Sequence, residues 1–132
     1  CGLGIRHAMV VHGEDGFDEI SISAPTKVAE IKDGGIFEYT ITPEQFGLPL
    51  AEKEEVVGGS PEENALITQG ILAGTIRDAK RNIVLLNAGC ALYVVGQAGS
   101  IGDGVALAAE MIDSGAALAK LEELKQFTNA LA

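Results

Sequence analysis

The sequence predicts an α/β layer fold, with α+β as the other possibility, and three observations carry that expectation. The short apolar run "AMVV", Ala8–Val11, has no alternation and reads as a strand buried on both faces. Two alternating segments, "KVAEIK" and "IFEYTI", flank "DGG" in the manner of a hairpin. After "TPEQFG" strand signals cease, and from Ser60 onward helix signals replace them. One strand and a hairpin make a thin sheet for so many helices, so the sheet is expected to be incomplete within this chain.

Each element has its own justification. The first strand is ended by His12-Gly13, and an acidic, glycine-bearing segment follows, "HGEDGFDEISI". In "EISIS" Ile20 and Ile22 alternate with Ser21 and Ser23. In the hairpin, Ala29 and Ile31 share one face of the first arm, and Phe37, Tyr39 and Ile41 share one face of the second. The glycines of "DGG" permit the positive φ that a tight hairpin turn needs. "TPEQFG" reads as a Thr-capped turn of helix, and "LPLAEKEEVVGG" as a surface loop. Ser60-Pro61-Glu62-Glu63 combines a Ser cap, Pro at the first helical position and Glu at the third, with Leu66, Ile67 and Ile71 as the apolar face behind it. A second helix is expected from about Asp78 to Gln97; it is apolar all round and so central. "GQAGSIGDG", Gly96–Gly104, is expected to be a loop between helices. Leu118, Leu121, Leu124, Phe127 and Leu131 predict an amphipathic terminal helix.

A chain of 132 residues is one domain with room for a real core, and 47% hydrophobic with 21% charged residues excludes a disordered or low-complexity chain. The formal net charge of −10 argues against nucleic acid and anionic membrane surfaces, which require clustered Lys and Arg. Cys1 and Cys90 have no metal-like spacing; Cys90, inside an apolar run, reads as a buried free thiol, in keeping with a reducing cytoplasm. "IVLLNAGCALYVVG" is too short to span a bilayer and is interrupted by Asn87. No signal-peptide pattern opens the chain. Its start at Cys1, running almost at once into a strand, reads as the continuation of something longer.

The acidic segment is where chemistry is expected. Asp and Glu are hard oxygen ligands suited to Mg²⁺, which takes one or two carboxylates and completes its shell with phosphate oxygens and water. Asp18 and Glu19 are adjacent, so in a regular strand they would point to opposite faces; to serve one site the backbone must turn. Gly13 and Gly16 allow that, just after a strand, where α/β sheets place their ligands. From the residues alone a solvated turn explains the same cluster. His12 reads as a hydrogen-bonded structural residue. No zinc cluster, acyl-transfer triad, phosphate-binding P-loop or dinucleotide fingerprint is present.

In order, "VVHGEDGFDEIS", "PTKVAEIKDGGI", "TPEQFGL", "GGSPEENA", "NIVLLNAGCALYV" and "SGAALAKLEEL" resemble the C-terminal part of the anthranilate phosphoribosyltransferase family, over nearly the whole chain. The resemblance implies a nucleoside phosphorylase/phosphoribosyltransferase-like α/β domain of which residues 1–132 are the C-terminal portion. The family's N-terminal helical domain, which usually forms a homodimer, is then absent from this chain. The implied reaction joins anthranilate to phosphoribosyl pyrophosphate, giving N-(5-phosphoribosyl)anthranilate and pyrophosphate, in tryptophan biosynthesis in the cytoplasm. The family's Asp-Glu pair holds Mg²⁺ on the pyrophosphate group, a role that falls on Asp18 and Glu19; none falls on Glu14 or Asp15. The family's phosphoribosyl pyrophosphate loop and anthranilate contacts lie upstream, so the resemblance assigns no substrate-binding residue here and no catalytic one. "GGSPEENA" and "NAGCALY" are expected to cap and pack. Two other readings are a related glycosyl or phosphoribosyl transferase with a different acceptor, and a non-catalytic binding module.

Overall fold

The structure, a computed structural model, describes residues 4–131. Three strands, β1 (His7–Gly13), β2 (Thr26–Lys32) and β3 (Gly35–Ile41), form an antiparallel sheet in the order β1-β2-β3. Four helices follow: α1 (Pro61–Leu72), α2 (Ala79–Val94), α3 (Ile101–Asp113) and α4 (Ala116–Leu131). The expected order of strands first and helices after therefore holds. Single 3₁₀ turns occupy Pro43–Phe46 and Lys53–Val56. Among the described residues no helix is long and apolar enough to cross a membrane.

The sheet corrects three expectations. β1 is an edge strand, and Val10 on its outer face is 66% exposed, so it is not covered on both sides. In β2 the residues facing the core are Thr26, Val28 and Glu30, not Ala29 and Ile31. The apolar pair misleads because a carboxylate takes the inward position. The segment around Ile20–Ser23 forms no strand; Ile20, Ser21 and Ile22 are all buried, so nothing alternates. The hairpin itself is as expected. Asp33 and Gly34 both adopt positive φ, 51° and 79°, the conformation of a two-residue turn that follows strand twist, and Lys32 pairs with Gly35 across it. Tyr39 and Ile41 of β3 face inward on the expected side, while Phe37 on the same side is exposed near the turn.

Glu30 is 7% exposed, and its partners explain how a carboxylate sits there. Tyr93 of α2 donates its hydroxyl to Oε1 at 2.8 Å, and Tyr39 donates to Oε2 at 2.8 Å. His7 Nε2 lies 2.8 Å from Oε1, and Lys32 Nζ donates to the Tyr93 hydroxyl at 3.1 Å. Burial by itself would raise the Glu30 pKa. The bonds from Tyr93, Tyr39 and His7, with the charge of His7, outweigh that and hold it below its ordinary value. Burial and then the bond to Glu30 push the Tyr39 phenol up. One carboxylate thus joins all three strands' inner face to α2.

The helices begin as their sequences dictate. Ser60 Oγ accepts from the Glu63 N–H at 3.2 Å while Glu63 Oε2 accepts from the Ser60 N–H at 2.7 Å, a reciprocal cap with Pro61 in the first turn. Asp78 caps α2 by accepting from the Lys80 N–H. Ser100 caps α3, which starts inside the Gly96–Gly104 stretch expected to be loop. Of the α1 face, Ile71 is buried, but Leu66 is 68% exposed. α4 forms where the leucine spacing placed it, yet Leu124, Phe127 and Leu131 of its apolar stripe are exposed. The core centres on Ile22 and Leu86, both fully enclosed, with Val28, Ile41, Cys90, Val105 and Ile112 around them.

α2 and α3 cross at two glycines. A Cβ on Gly104 would lie 2.1 Å from the Gly89 carbonyl oxygen, and one on Gly89 would lie 2.6 Å from the Val105 nitrogen. Backbone meets backbone here, which only residues without a side chain allow. Beyond the crossing, Arg81 Nη2 donates to both carboxylate oxygens of Asp113, at 3.0 and 3.1 Å.

Two outcomes follow from this packing. Gly104→Ala loses about 3 kcal/mol or more in urea unfolding, at the upper end for overpacked sites because the obstacle is main chain. Gly102→Ala, whose Cβ would meet nothing nearer than 3.8 Å, is neutral or stabilises. Equal effects at the two positions would refute the crossing constraint. Glu30→Gln costs about 1.5–3 kcal/mol at neutral pH, as expected for bonds to a charged group. Because the folded-state value of Glu30 is depressed, its contribution is present above the ordinary value of 4.5 and disappears as pH falls through the folded value. The gap between wild type and Glu30→Gln therefore narrows on acidification below about pH 4.5, and a pH-independent gap would contradict the assignment.

Candidate metal site

β1 ends at Gly13, and the acidic segment leaves the sheet there. Gly13 is buried, and a Cβ on it would lie 2.6 Å from Asp15 Oδ1 and 3.1 Å from Ser21 Cβ. The Gly13 N–H donates to the Phe17 carbonyl at 3.0 Å, and the Gly16 N–H returns to the Gly13 carbonyl at 2.9 Å, with Gly16 at φ 93°. The turn is therefore a closed loop of main-chain bonds rather than an open excursion.

The four carboxylates of the segment do three different things. Asp15 faces inward: Oδ2 accepts from Ser21 Oγ at 2.5 Å and from Ser23 Oγ, and Oδ1 accepts from the Phe17 N–H at 3.4 Å. Burial acts to raise its pKa, but these bonds prevail and hold it below its ordinary value. Glu14 is exposed and lies 3.6 Å from Lys27 Nζ. Asp18 and Glu19 are both exposed and sit in bends, outside any strand. That is the location the adjacency of the pair requires. Among the described residues no hydrogen bond or ion pair engages either carboxylate.

The pair is held from both sides. Phe17 is fixed by its carbonyl's bond to Gly13, and Lys53 Nζ stands 4.9 Å from the Phe17 ring centroid while donating to the Asp15 carbonyl at 2.8 Å. Ile20 is buried, and its main chain is gripped by Asn87 of α2. Asn87 Oδ1 accepts from the Ile20 N–H at 3.0 Å, and Nδ2 donates to the Ile20 carbonyl at 2.9 Å. Asn87 is the residue beside the site that pattern reading overlooks. Its signal is in the sequence all the same: one amide interrupting an otherwise apolar helix. His12, expected to be hydrogen-bonded, is exposed at the end of β1, and the half-buried imidazole bond belongs to His7 instead.

The donor set suits Mg²⁺. Among the described residues no group of three or more His, Cys, Asp and Glu gathers where it could hold a metal by itself. Two free carboxylates leave most of a hard ion's shell to water and phosphate oxygens, which is the way Mg²⁺ is commonly held at phosphorylated substrates. A thiolate is not on offer, since Cys90 is buried and free and burial pushes its thiol up to about 12; Cys1 lies outside the described residues.

"GGSPEENA" and "NAGCALY" behave as capping and packing segments. Asn64 Oδ1 accepts from the Gly59 N–H and Nδ2 donates to the Gly59 carbonyl, beside the Ser60–Glu63 cap. Gly89, Cys90 and Tyr93 each pack or bond within the interior described above.

The chain is 51% identical to an anthranilate phosphoribosyltransferase of Methanobrevibacter smithii over 128 residues, 97% of this chain and 38% of that protein. It is 50% identical to the anthranilate phosphoribosyltransferase of Desulfosudis oleivorans over the same length and shares. Its fold matches the crystal structure of anthranilate phosphoribosyltransferase from Thermus thermophilus with a TM-score of 0.81 at 39% identity, covering 89% of this chain and 34% of that one. It also matches the Saccharomyces cerevisiae enzyme in complex with phosphoribosyl pyrophosphate and Mg, with a TM-score of 0.79 at 27% identity, covering 88% and 33%. The chain thus spans a little over a third of the length of the relatives it matches. The profile described as the glycosyl transferase family, a/b domain, matches residues 1–118, and the chain belongs to that family.

Proposed function

We propose that these 132 residues are the C-terminal portion of the α/β domain of an anthranilate phosphoribosyltransferase. The reaction transfers the phosphoribosyl group from phosphoribosyl pyrophosphate to the amine of anthranilate and releases pyrophosphate, a step of tryptophan biosynthesis. The observation that carries the reading is the Asp18–Glu19 pair, free and exposed between two fixed main-chain positions at the end of β1. The similarity to enzymes of that name, including one in complex with phosphoribosyl pyrophosphate and Mg, supports it. The complete protein is expected to be a cytoplasmic homodimer.

Within this reading Asp18 and Glu19 would hold Mg²⁺ through their free carboxylates. When bound, Mg²⁺ would supply charge neutralisation for the departing pyrophosphate. The chain's own contribution is positional. β1 and the closed turn set the height of the pair above the sheet, and the hydroxyls on Asp15 keep that neighbouring carboxylate from swinging out to compete. No nucleophile is required among these residues, because orientation and charge stabilisation accomplish the transfer of a sugar between good leaving and attacking groups. The phosphoribosyl pyrophosphate loop and the anthranilate contacts belong to sequence outside these 132 residues.

In the full-length protein, Asp18→Asn with Glu19→Gln lowers turnover on the order of 10²–10³-fold, the scale of one lost charge-stabilising contact. The Mg²⁺ concentration needed for half-maximal rate rises, and the melting temperature stays put because both side chains are exposed. Near-normal rates with ordinary Mg²⁺ dependence would return the cluster to a solvated turn. The 132-residue chain on its own forms no fluorescent product from anthranilate, phosphoribosyl pyrophosphate and Mg²⁺. Robust turnover by it alone would overturn the assignment of the substrate contacts to the remainder of the protein.

A further inference from the structure

We propose that Asn87 is the positioning residue of the Asp18–Glu19 pair: from α2 it fixes the peptide that carries Glu19 and so sets the geometry in which the two carboxylates meet a cation. The proposal rests on the metal reading above and extends it to a residue that bears no charge and touches no substrate.

The geometry is specific. The Ile20 N–H belongs to the peptide that joins Glu19 to Ile20, and the Ile20 carbonyl to the next peptide along. Asn87 accepts from the first at 3.0 Å and donates to the second at 2.9 Å, gripping one residue by both its main-chain groups. The remaining Nδ2 hydrogen goes to the Ile83 carbonyl one turn earlier in α2, at 3.0 Å. This third bond fixes which way round the amide lies. Reversed, its oxygen would face two carbonyls and its NH₂ would face an N–H. On the other side, Phe17 is fixed through Gly13 at 3.0 Å. Between the two fixed positions lie only Asp18 and Glu19. A slack four-residue bend has been reduced to two residues with anchored ends. The partner that does it sits 67 residues away in sequence, on the helix whose own place is set by the Gly89–Gly104 crossing.

An amide in the middle of an apolar helix has a cost in helix propensity relative to alanine. A purely structural role for Asn87 would satisfy these three main-chain groups and nothing more. The two roles differ in what they do to cation binding, and that difference can be measured without turnover.

The experiment uses the full-length protein with pyrophosphate present and follows Mn²⁺ binding by electron paramagnetic resonance. Asn87→Ala weakens Mn²⁺ binding by about 10- to 100-fold, the scale at which outer partners tune a metal site. Its loss of turnover is recovered by raising Mg²⁺, and the KM for anthranilate does not move. Leu85→Ala, on the same helix but in the core, lowers stability and leaves Mn²⁺ affinity unchanged. Unchanged Mn²⁺ affinity in Asn87→Ala, with weakened binding in Asp18→Asn/Glu19→Gln, would overturn this proposal and leave the metal reading standing. Unchanged binding in both would overturn both. If Asn87→Ala fails to fold, Asn87→Leu, which refills the volume, is read the same way. The unsubstituted protein supplies an independent check, because coupling is reciprocal: Mg²⁺ with pyrophosphate slows hydrogen exchange at the Ile20 amide, and no change there would overturn the proposal.

Discussion

The approach of Gly89 to Gly104 is the constraint on which the rest of the molecule depends. With no Cβ on either side, the main chains of α2 and α3 come within the space an alanine would fill, and Leu85, Leu86, Val105 and Ala108 join one buried core. A helix held that tightly can serve as a reference for everything bonded to it. Asn87 carries the reference to the acidic segment, Tyr93 carries it to Glu30 and the sheet, and Lys80 donates to the Glu55 carbonyl of the connecting loop at 2.5 Å. The polar residues of α2 are few, and each of these three makes a long-range bond to main chain or to a carboxylate.

Much of this was legible in the sequence, for physical reasons that differ by element. Local chemistry was readable: the Ser60–Glu63 cap, the Asp33-Gly34 turn and the bend around Asp18 and Glu19 depend on residues a few positions apart. What failed was anything decided by a distant partner. Ala29 and Ile31 look like the buried face of β2 until two phenols and an imidazole are brought to Glu30, two of them from other strands and one from a helix more than sixty residues away. Ser21 and Ser23 look like the wet side of an alternating strand until Asp15 folds back to take their hydroxyls. Asn87 was visible as an interruption in an apolar run, but its purpose required knowing where Ile20 would lie. The motif order pointed to the pair at Asp18 and Glu19 as candidates; the bonds that hold their main chain were outside the reach of any pattern.

Acidity in this segment is divided by environment rather than by residue type. Asp15 is drawn inward by two hydroxyls and its charge is used to shape the turn, while Asp18 and Glu19, three and four positions on, keep both oxygens free. Had all the carboxylates been free, their mutual repulsion would have loosened the turn. With Asp15 engaged by two hydroxyls and Glu14 set beside Lys27, the pair that remains has a charge matching a divalent ion.

β1 has a further consequence of a different kind. Among the described residues it lies at the margin of its sheet with a partner strand on one side only, and Val10 stands exposed on its outer surface. Its outward row of amides and carbonyls is a template for another strand, and neither a proline nor a bulge blunts it. When this chain is produced by itself, that margin makes it prone to self-association as concentration rises. Its solubility, more than its melting temperature, then becomes the property that limits work with it in isolation.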